Sequence, residues 1–207
     1  MKSILFYGDS NTYGFDPRGF GGGRYPADVR WTDRLGDALR GDWNILVNAM
    51  NGREIPGTES AAARVLSMIK SAETDCKAKE GGTLCFAVML GTNDLFSADG
   101  YSPAVSVSRK MSRFLDRVRQ SFPEMELLLI APPAIGSERS PEQFLQWMYR
   151  ESRQLSLLYH VRAEQKGLLF ANAFAWNVPL AFDEVHLSGE GHAVFAEKMT
   201  EILRERE

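Results

Sequence analysis

The sequence predicts a three-layer α/β/α sandwich, in which about five parallel strands lie between helices on both faces. Three observations predict this fold: short, continuously apolar segments, stretches with helical spacing of apolar residues between them, and a length of 207 residues. Strands that are buried on both faces are continuously apolar rather than alternating. Their alternation with helices is typical of a parallel sheet with right-handed crossovers. A chain of this length usually forms one domain, so we expect residues 1–207 to be a single domain.

Five apolar runs are the predicted strands, and most of them are bounded by glycine, asparagine or charged residues, which end strands. These runs are Ile4–Tyr7, Ile45–Val47, Leu84–Leu90, Leu127–Ala131 and Leu168–Phe170.

The segments between and after these runs carry apolar residues at intervals of three and four, which predicts amphipathic helices. The apolar stripes are Trp31, Leu35 and Leu39; Ala61, Val65, Leu66 and Ile69; Val107, Met111, Phe114, Leu115 and Val118; a pattern from Tyr149 to Ala163; and Val194, Phe195, Met199, Ile202 and Leu203. Ser188 is placed to cap the last of these helices, with Glu190 in its first turn. The glycine-rich segment 19–23 is expected to be a surface loop.

Composition and charge exclude several classes of protein. The chain is 44% hydrophobic and 25% charged, which is ordinary for a globular domain and excludes disordered and collagen-like chains. The net charge is −3 and there is no long basic run. Binding to nucleic acid depends largely on basic groups that contact phosphates, so we expect no nucleic-acid partner.

The cysteines and the N-terminal segment bear on the cellular compartment. Cys76 lies in a polar helix end and Cys85 in an apolar run, and we expect no disulfide between them. The first apolar stretch ends at Gly8, which is short for the core of a secretion signal. No segment approaches the ~18 apolar residues of a membrane span. We therefore expect a cytoplasmic protein without a membrane partner.

Chemistry-bearing residues follow the ends of several predicted strands. Ser10 follows the first strand, Gly52 the second and Asn93 the third, while Asp183 and His186 come after a longer loop that follows the fifth. In an open parallel sheet, ligands bind beyond the carboxyl ends of the strands. We therefore expect these residues to meet at one site.

A serine, a histidine and a carboxylate can together perform nucleophilic catalysis. A serine hydroxyl needs a base, which a histidine supplies near neutral pH, and a carboxylate orients that histidine. Asp183 and His186 are three residues apart, so one turn can hold both. The backbone N–H groups of Ser10 and Gly52 and the amide of Asn93 are the candidate donors to an oxyanion. Glycine at position 52 lets the backbone approach a substrate.

Each of these residues also has a purely structural interpretation. The segment 9–12 is composed of residue types that cap helices. Asn93 and Asp94 form a common turn pair, and Asp183 with His186 suits a surface pair. His192 is expected to belong to a helix start and His160 to a solvated helix face. The joint placement of the set favours the functional interpretation.

As a set, these residues resemble the SGNH (GDSL-like) hydrolase superfamily. Its four blocks occur in order as Gly8-Asp9-Ser10, Gly52, Gly91-x-Asn93-Asp94 and Asp183-x-x-His186. The resemblance implies Ser10 as nucleophile, His186 as base and Asp183 as its orienting carboxylate, with an oxyanion hole formed by Ser10, Gly52 and Asn93. It departs from the family pattern at Asn11, where the family name motif has leucine, and at Asn51, where serine is more usual.

A closer resemblance covers residues 4 to 35 and involves the arylesterase and acyltransferase branch. It is carried by Gly8–Gly14, Arg24-Tyr25-Pro26 and Val29-Arg30-Trp31-Thr32. This branch implies small acyl esters as substrates and an oligomer whose loops narrow the pocket.

Competing motifs are not present in the sequence. There is no Gly-x-Ser-x-Gly elbow and no phosphate-binding loop, and the glycines at 19, 21 and 23 do not form a dinucleotide fingerprint. His186 and His192 lack the spacing of a helical zinc site. We therefore expect neither a cofactor nor a metal.

The sequence thus predicts a serine esterase that hydrolyses short-acyl carboxylic esters through an acyl-enzyme. Three alternatives stay open: a carbohydrate acetyl esterase, an acyltransferase with the same triad, and a flavodoxin-like module that binds a ligand without turnover. Two aromatic stretches also suggest a homo-oligomer that encloses the pocket, with packing of both stretches on their own domain as the alternative. The stretches are Phe15–Trp31, with Phe15, Phe20, Tyr25 and Trp31, and Gln143–Tyr149, with Phe144, Leu145, Trp147 and Met148.

Overall fold

A computed structural model of the chain describes residues 2–19, 23–80 and 82–206. In these residues the strands are β1 Lys2–Gly8, β2 Phe15–Asp16, β3 Gly23–Arg24, β4 Trp43–Ala49, β5 Leu84–Met89, β6 Glu126–Ala131 and β7 Leu169–Asn172. The helices are α1 Ser10–Tyr13, α2 Trp31–Ala38, α3 Glu59–Glu80, α4 Thr92–Ser97, α5 Pro103–Ser121, α6 Gln143–Lys166 and α7 Gly189–Arg204, with a 3₁₀ turn at Ala173–Trp176.

Five of the strands form one parallel sheet in the order β4-β1-β5-β6-β7. Counted along the chain, this is the order 2-1-3-4-5 of doubly wound, flavodoxin-like sheets, in which the chain reverses direction across the sheet between the first and third strands. The predicted α/β fold with about five parallel strands is confirmed. Gly8 pairs with Ala49 on one side and Met89 on the other, so β4, β1 and β5 end at the same level.

Helices cover both faces of the sheet, and the alternation of side chains along β1 shows how. Leu5 and Tyr7 face one apolar core with α3, α5 and α6, whereas Ile4 and Phe6 face a second core with α2 and α7. Because both faces are buried, the strands are continuously apolar, as the sequence indicated. Ser188 accepts a hydrogen bond from the N–H of Gly191 and caps α7 as predicted.

Several details differ from the sequence-based expectations. Four of the five strands of the sheet extend one or two residues beyond an apolar run at one or both ends, because backbone pairing continues past the apolar side chains. The short helix α4 and the pair β2–β3 were not predicted, and both are too short to show a period in the sequence. Cys76 lies near the polar end of α3, as expected, but its side chain is buried against a core, and both cysteines are free.

Parts of the two aromatic stretches are internal, which corrects the assignment of Tyr25, Trp31 and Met148 to an interface. Tyr25 and Trp31 are 3% and 0% exposed, and the Trp31 ring meets Phe6 edge-on at 4.9 Å. Periodicity in the sequence cannot reveal these long-range partners. Met148 is also buried, whereas Phe144 at the start of α6 is 50% exposed. Phe20 lies outside the described residues, as does most of the predicted glycine-rich loop.

Candidate active site

The sequence-predicted residues lie at the carboxyl edge of the sheet. Ser10 begins α1 directly after β1, Gly52 lies in the loop after β4, and Asn93 lies in α4 after β5. Asp183 and His186 lie in the turn between the 3₁₀ segment and α7. The topology therefore brings together residues that are far apart in sequence, at the edge where such sheets bind ligands.

Helix α1 fixes the backbone of Ser10. The Asp9 side chain accepts a hydrogen bond from the N–H of Asn11 and caps the helix, and Gly14 ends it in a left-handed conformation. The capping interpretation of this segment thus holds alongside the functional one. Ser10 is the first residue of the helix, where a backbone N–H has no acceptor within the helix.

Ser10, His186 and Asp183 form a continuous chain of hydrogen bonds. Nδ1 of His186 lies 2.7 Å from Oδ2 of Asp183, and Nε2 lies 3.0 Å from Oγ of Ser10. Because a carboxylate accepts only, Nδ1 carries the proton and donates it to Asp183. Nε2 then accepts from the Ser10 hydroxyl. The structure places the three predicted residues in the order required of a nucleophile, a base and an orienting carboxylate.

The turn that carries Asp183 keeps its carboxylate ionised. Burial tends to raise the pKa of Asp183. The Asp183 carboxylate also accepts hydrogen bonds from the His186 ring and from the backbone N–H groups of His186 and Val185. These bonds outweigh the effect of burial and lower the pKa of Asp183 below its ordinary value. Phe15 packs on the other side of the imidazole, with ring centroids 4.6 Å apart. The His186 ring is thus held between a carboxylate and an aromatic wall.

Gly52 and Asn93 lie beside each other on two neighbouring segments. Gly52 has φ +71°, a conformation that favours glycine because other residues are strained there. One hydrogen of the Asn93 amide bonds the carbonyl of Arg53 at 3.0 Å. An amide nitrogen carries two hydrogens, so the second is free to serve a ligand. This bond also ties α4 to the loop that carries Gly52.

Two further groups anchor that loop, and sequence reasoning did not identify them. Arg53 bonds the carbonyls of Gly8 at 3.0 Å and Asn48 at 2.5 Å, and its guanidinium lies 4.1 Å from the centroid of the Tyr7 ring. In the sequence, Arg53 is marked only by its position directly after Gly52.

Asp94 and Lys110 provide the second anchor. Asp94 accepts the N–H of Ile55 at 3.0 Å, and Lys110 bonds both Asp94 at 2.6 Å and Glu54 at 2.9 Å. Burial raises the pKa of Asp94 despite these bonds. No sequence signal marks Lys110, which lies in the middle of α5.

Asp9 is itself an unusual carboxyl group. It is 1% exposed, and its Oδ2 has no hydrogen-bond partner among the described residues. Burial, with a smaller contribution from the nearby Asp94 charge, raises the pKa of Asp9 from 3.8 to about 7, although the N–H of Asn11 opposes this. The group next to the candidate nucleophile is therefore largely protonated below neutral pH.

The other two histidines lie apart from this chain of hydrogen bonds. His192 is buried in the first turn of α7, where its Nδ1 accepts the N–H of Trp31 at 3.3 Å. Burial, aided by Arg34 and Arg30, lowers the pKa of His192 to about 4. His160 lies on an exposed face of α6, 3.5 Å from Glu164. Both positions agree with the structural roles expected from the sequence.

Within residues 2–19, 23–80 and 82–206, no three His, Cys, Asp or Glu side chains are grouped to hold a metal ion. Over the same ranges, none of the helices combines the length and apolar character needed to span a bilayer.

Comparison with known proteins gives one family and many structures. The model of the GDSL-like lipase/acylhydrolase family matches residues 6–194. No curated protein sequence matches the chain.

Three of the similar solved structures illustrate the likeness of fold. A carbohydrate acetylesterase from Sinorhizobium meliloti is 20% identical with a TM-score of 0.79, and the match covers 100% of both chains. The native aryl esterase of M. smegmatis is 21% identical with a TM-score of 0.75, covering 99% of both chains. A lipase/acylhydrolase from Enterococcus faecalis is 16% identical with a TM-score of 0.70, covering 100% of this chain and 97% of that one.

Proposed function

Because the chain belongs to the GDSL-like lipase/acylhydrolase family, we propose that this carboxylic ester hydrolase cleaves short-acyl esters through an acyl-enzyme formed on Ser10. The observation that carries the proposal is the chain of hydrogen bonds from Ser10 through His186 to Asp183, at 3.0 and 2.7 Å. A module that only binds a ligand has no need of such an arrangement.

The first half of the proposed reaction transfers the acyl group to the serine. Oγ of Ser10 attacks the ester carbonyl carbon while Nε2 of His186 takes the hydroxyl proton. Asp183, which remains ionised, stabilises the resulting imidazolium without taking its proton. The tetrahedral intermediate then expels the alcohol oxygen, which leaves with the proton from His186. The second half repeats these steps with water in place of serine and releases the carboxylic acid.

Three donors are proposed to stabilise the negative oxygen of the intermediate. They are the backbone N–H groups of Ser10 and Gly52 and the second amide hydrogen of Asn93. Removal of one such donor typically lowers kcat by about 10²–10³. The anchoring of the Gly52 loop by Arg53 and Lys110 supports this assignment, because donors of this kind must be held in place before the charge develops.

The proposed preference for short acyl groups rests on the walls of the site. Phe15 packs against His186, and Phe182, 75% exposed, is adjacent to Asp183 in the chain. Aromatic side chains at these two positions are proposed to narrow the space for the acyl chain. The similarity to an acetylesterase from Sinorhizobium meliloti and to an aryl esterase from M. smegmatis is consistent with small esters.

Three wider aspects of the protein are also proposals. Residues 1–207 are proposed to be one SGNH hydrolase domain, since both helical layers pack on the same sheet. A homo-oligomer is proposed because Phe96 and Phe144 are exposed and in contact, with centroids 6.1 Å apart. A cytoplasmic location is proposed, with the free cysteines Cys76 and Cys85 in support.

The test is the activity of Ser10→Ala with p-nitrophenyl acetate. We expect turnover to be lost while the circular dichroism spectrum and Tm stay close to those of the unaltered protein, because one hydrogen bond contributes only about 1 kcal/mol. Ser3→Ala is the matched control, since Ser3 is equally buried but lies at the opposite end of β1. It should keep its activity.

A rapid acid quench followed by mass spectrometry should find one acetyl group on the peptide that contains Ser10. Full turnover in Ser10→Ala, or acetylation elsewhere in the chain, would contradict the proposal. With added alcohol, formation of a new ester in preference to acid would indicate that the same site works mainly as an acyltransferase.

A further inference from the structure

The side chain of Asn11 joins the nucleophile helix to the turn that carries the base. Its Nδ2 donates to the carbonyl of Val185 at 3.2 Å, and its Oδ1 accepts the N–H of Leu187 at 2.9 Å. These two backbone groups flank His186 in sequence. The Asn11 amide therefore bonds the backbone on both sides of His186, through one carbonyl and one N–H group.

Asn11 is itself held rigidly next to Ser10. Its N–H donates to Asp9 at 3.0 Å, and its carbonyl accepts from Nε1 of the buried Trp31 at 2.9 Å. The residue is only 3% exposed. A displacement of the turn relative to α1 must therefore break bonds to a side chain that cannot move with it.

Few other hydrogen bonds join these two elements. In the part of the chain that the structure describes, the hydrogen bonds between α1 and the turn are the two from Asn11 and that between Ser10 and His186. The remaining bonds of the turn lie within it or lead to elements other than α1. The N–H of Gly136 donates to the carbonyl of Glu184 at 2.7 Å, and that of Ala181 donates to the carbonyl of His186 at 2.7 Å. The position of the turn relative to Ser10 thus depends mainly on Asn11.

We propose that Asn11 is a positioning residue, which sets the distance from Oγ of Ser10 to Nε2 of His186. The inference rests on the proposed roles of Ser10 and His186. Position 11 is also where this chain departs from the leucine of the family name motif. Leucine has the same branching and the same number of side-chain heavy atoms, but it can neither donate to Val185 nor accept from Leu187. The departure therefore has a specific partner 174 residues away in the sequence.

The proposal predicts a change in kcat rather than in KM. Because a displacement of about 1 Å between reacting groups lowers rates by about 10²-fold, Asn11→Leu should lower kcat by about 10- to 100-fold. KM should change less than about threefold, since Asn11 is 3% exposed and its side-chain amide is bonded to the backbone of Val185 and Leu187. Asn44→Leu is the matched control, because it makes the same replacement at the amino end of the sheet. It should keep kcat close to that of the unaltered protein.

A second variant separates positioning from general loss of stability. Asn11→Asp retains an acceptor for Leu187 but, when ionised, sets a carboxylate against the Val185 carbonyl. Protonation of the introduced carboxyl restores a donor to that carbonyl. The ratio of its kcat to that of the unaltered protein should therefore rise as the pH falls from 8 to 5, whereas a merely destabilised variant loses activity further.

These measurements distinguish the inference from the proposed function. The positioning role is refuted if Asn11→Leu has the same kcat as Asn44→Leu, or if the activity ratio of Asn11→Asp does not rise at low pH. If Asn11→Leu does not fold, the pH profile of Asn11→Asp alone decides. Neither result affects Ser10→Ala, and turnover by that variant would instead remove the proposed function itself.

Discussion

Replacing Asp9 by asparagine should remove a large pH-dependent term from the stability of the protein. The carboxyl group is 1% exposed, and its Oδ2 has no hydrogen-bond partner in the described structure. Burial therefore raises its pKa to about 7. Asparagine caps helices as well as aspartate does, so Asp9→Asn keeps the hydrogen bond to Asn11 and removes only the ionisation.

The sign and size of the effect follow from proton binding. In the unfolded chain the group ionises near its ordinary value of 3.8, and in the folded chain only near 7. Between these values the folded state holds the extra proton, so the free energy of unfolding falls as the pH rises. The contribution is fully present below about pH 4 and lost above about pH 7. At about 1.4 kcal/mol for each unit of pKa, the loss amounts to about 4 kcal/mol.

The assay is urea unfolding of both proteins at several pH values from 4 to 8. Every other titrating group is common to the pair, so the difference between the two free energies of unfolding isolates Asp9. Asp9→Asn should become more stable relative to the unaltered protein by about 4 kcal/mol across this range. The same substitution at Asp28, whose side chain is exposed, is the control for the replacement of a carboxyl by an amide. Parallel curves for Asp9→Asn, within about 1 kcal/mol, would refute the reasoning.

Four further measurements test other features. Lys110→Met leaves the buried Asp94 without its cation, so it should lower the free energy of unfolding in urea by about 2 kcal/mol. This is less than the 3–5 kcal/mol that is lost when a fully buried pair is broken, and an unchanged unfolding midpoint would contradict the expectation. The His192 ring should stay neutral, since its pKa is lowered to about 4, and its NMR shifts should not move between pH 8 and 5; a titration near pH 6.5 would contradict its burial. Acetyl esters should turn over faster than octanoyl esters, and the reverse order would exclude a narrow acyl site. Light scattering should give a mass above that of one chain, and a value near 23.2 kDa at micromolar concentration would exclude a stable oligomer.

The sheet and the meeting of Ser10 with His186 were predictable for one physical reason. Continuously apolar strands must be buried on both faces, and parallel strands place their carboxyl ends at a common edge. Polar residues that follow several such strands are therefore brought together whatever their separation in sequence. Short motifs located the catalytic candidates because each lies directly at a strand end or in one tight turn.

The supporting residues were not predictable, because their partners are backbone atoms or distant side chains. Asn11 was visible only as a departure from a motif, since nothing in the sequence marks the carbonyl of Val185 as its partner. Lys110 lies on a helix whose apolar periodicity indicates which residues are buried but not which residues form ion pairs. The aromatic residues Tyr25 and Trp31 were assigned to an interface, because the composition of a loop does not reveal which core it packs into. The raised pKa of Asp9 depends on the packing of all its neighbours.

The separation of Ser10 and His186 in sequence has a consequence for biosynthesis. The two residues are 176 positions apart, and the ribosome adds the proposed nucleophile first. At about 5–20 residues per second, roughly 9 to 35 s pass before the proposed base is added. On the proposed mechanism, the nascent chain carries a serine without its general base throughout that interval, so it cannot attack esters. A polypeptide released early by a premature stop codon before position 183 would be inert for the same reason, however well its central strands had paired.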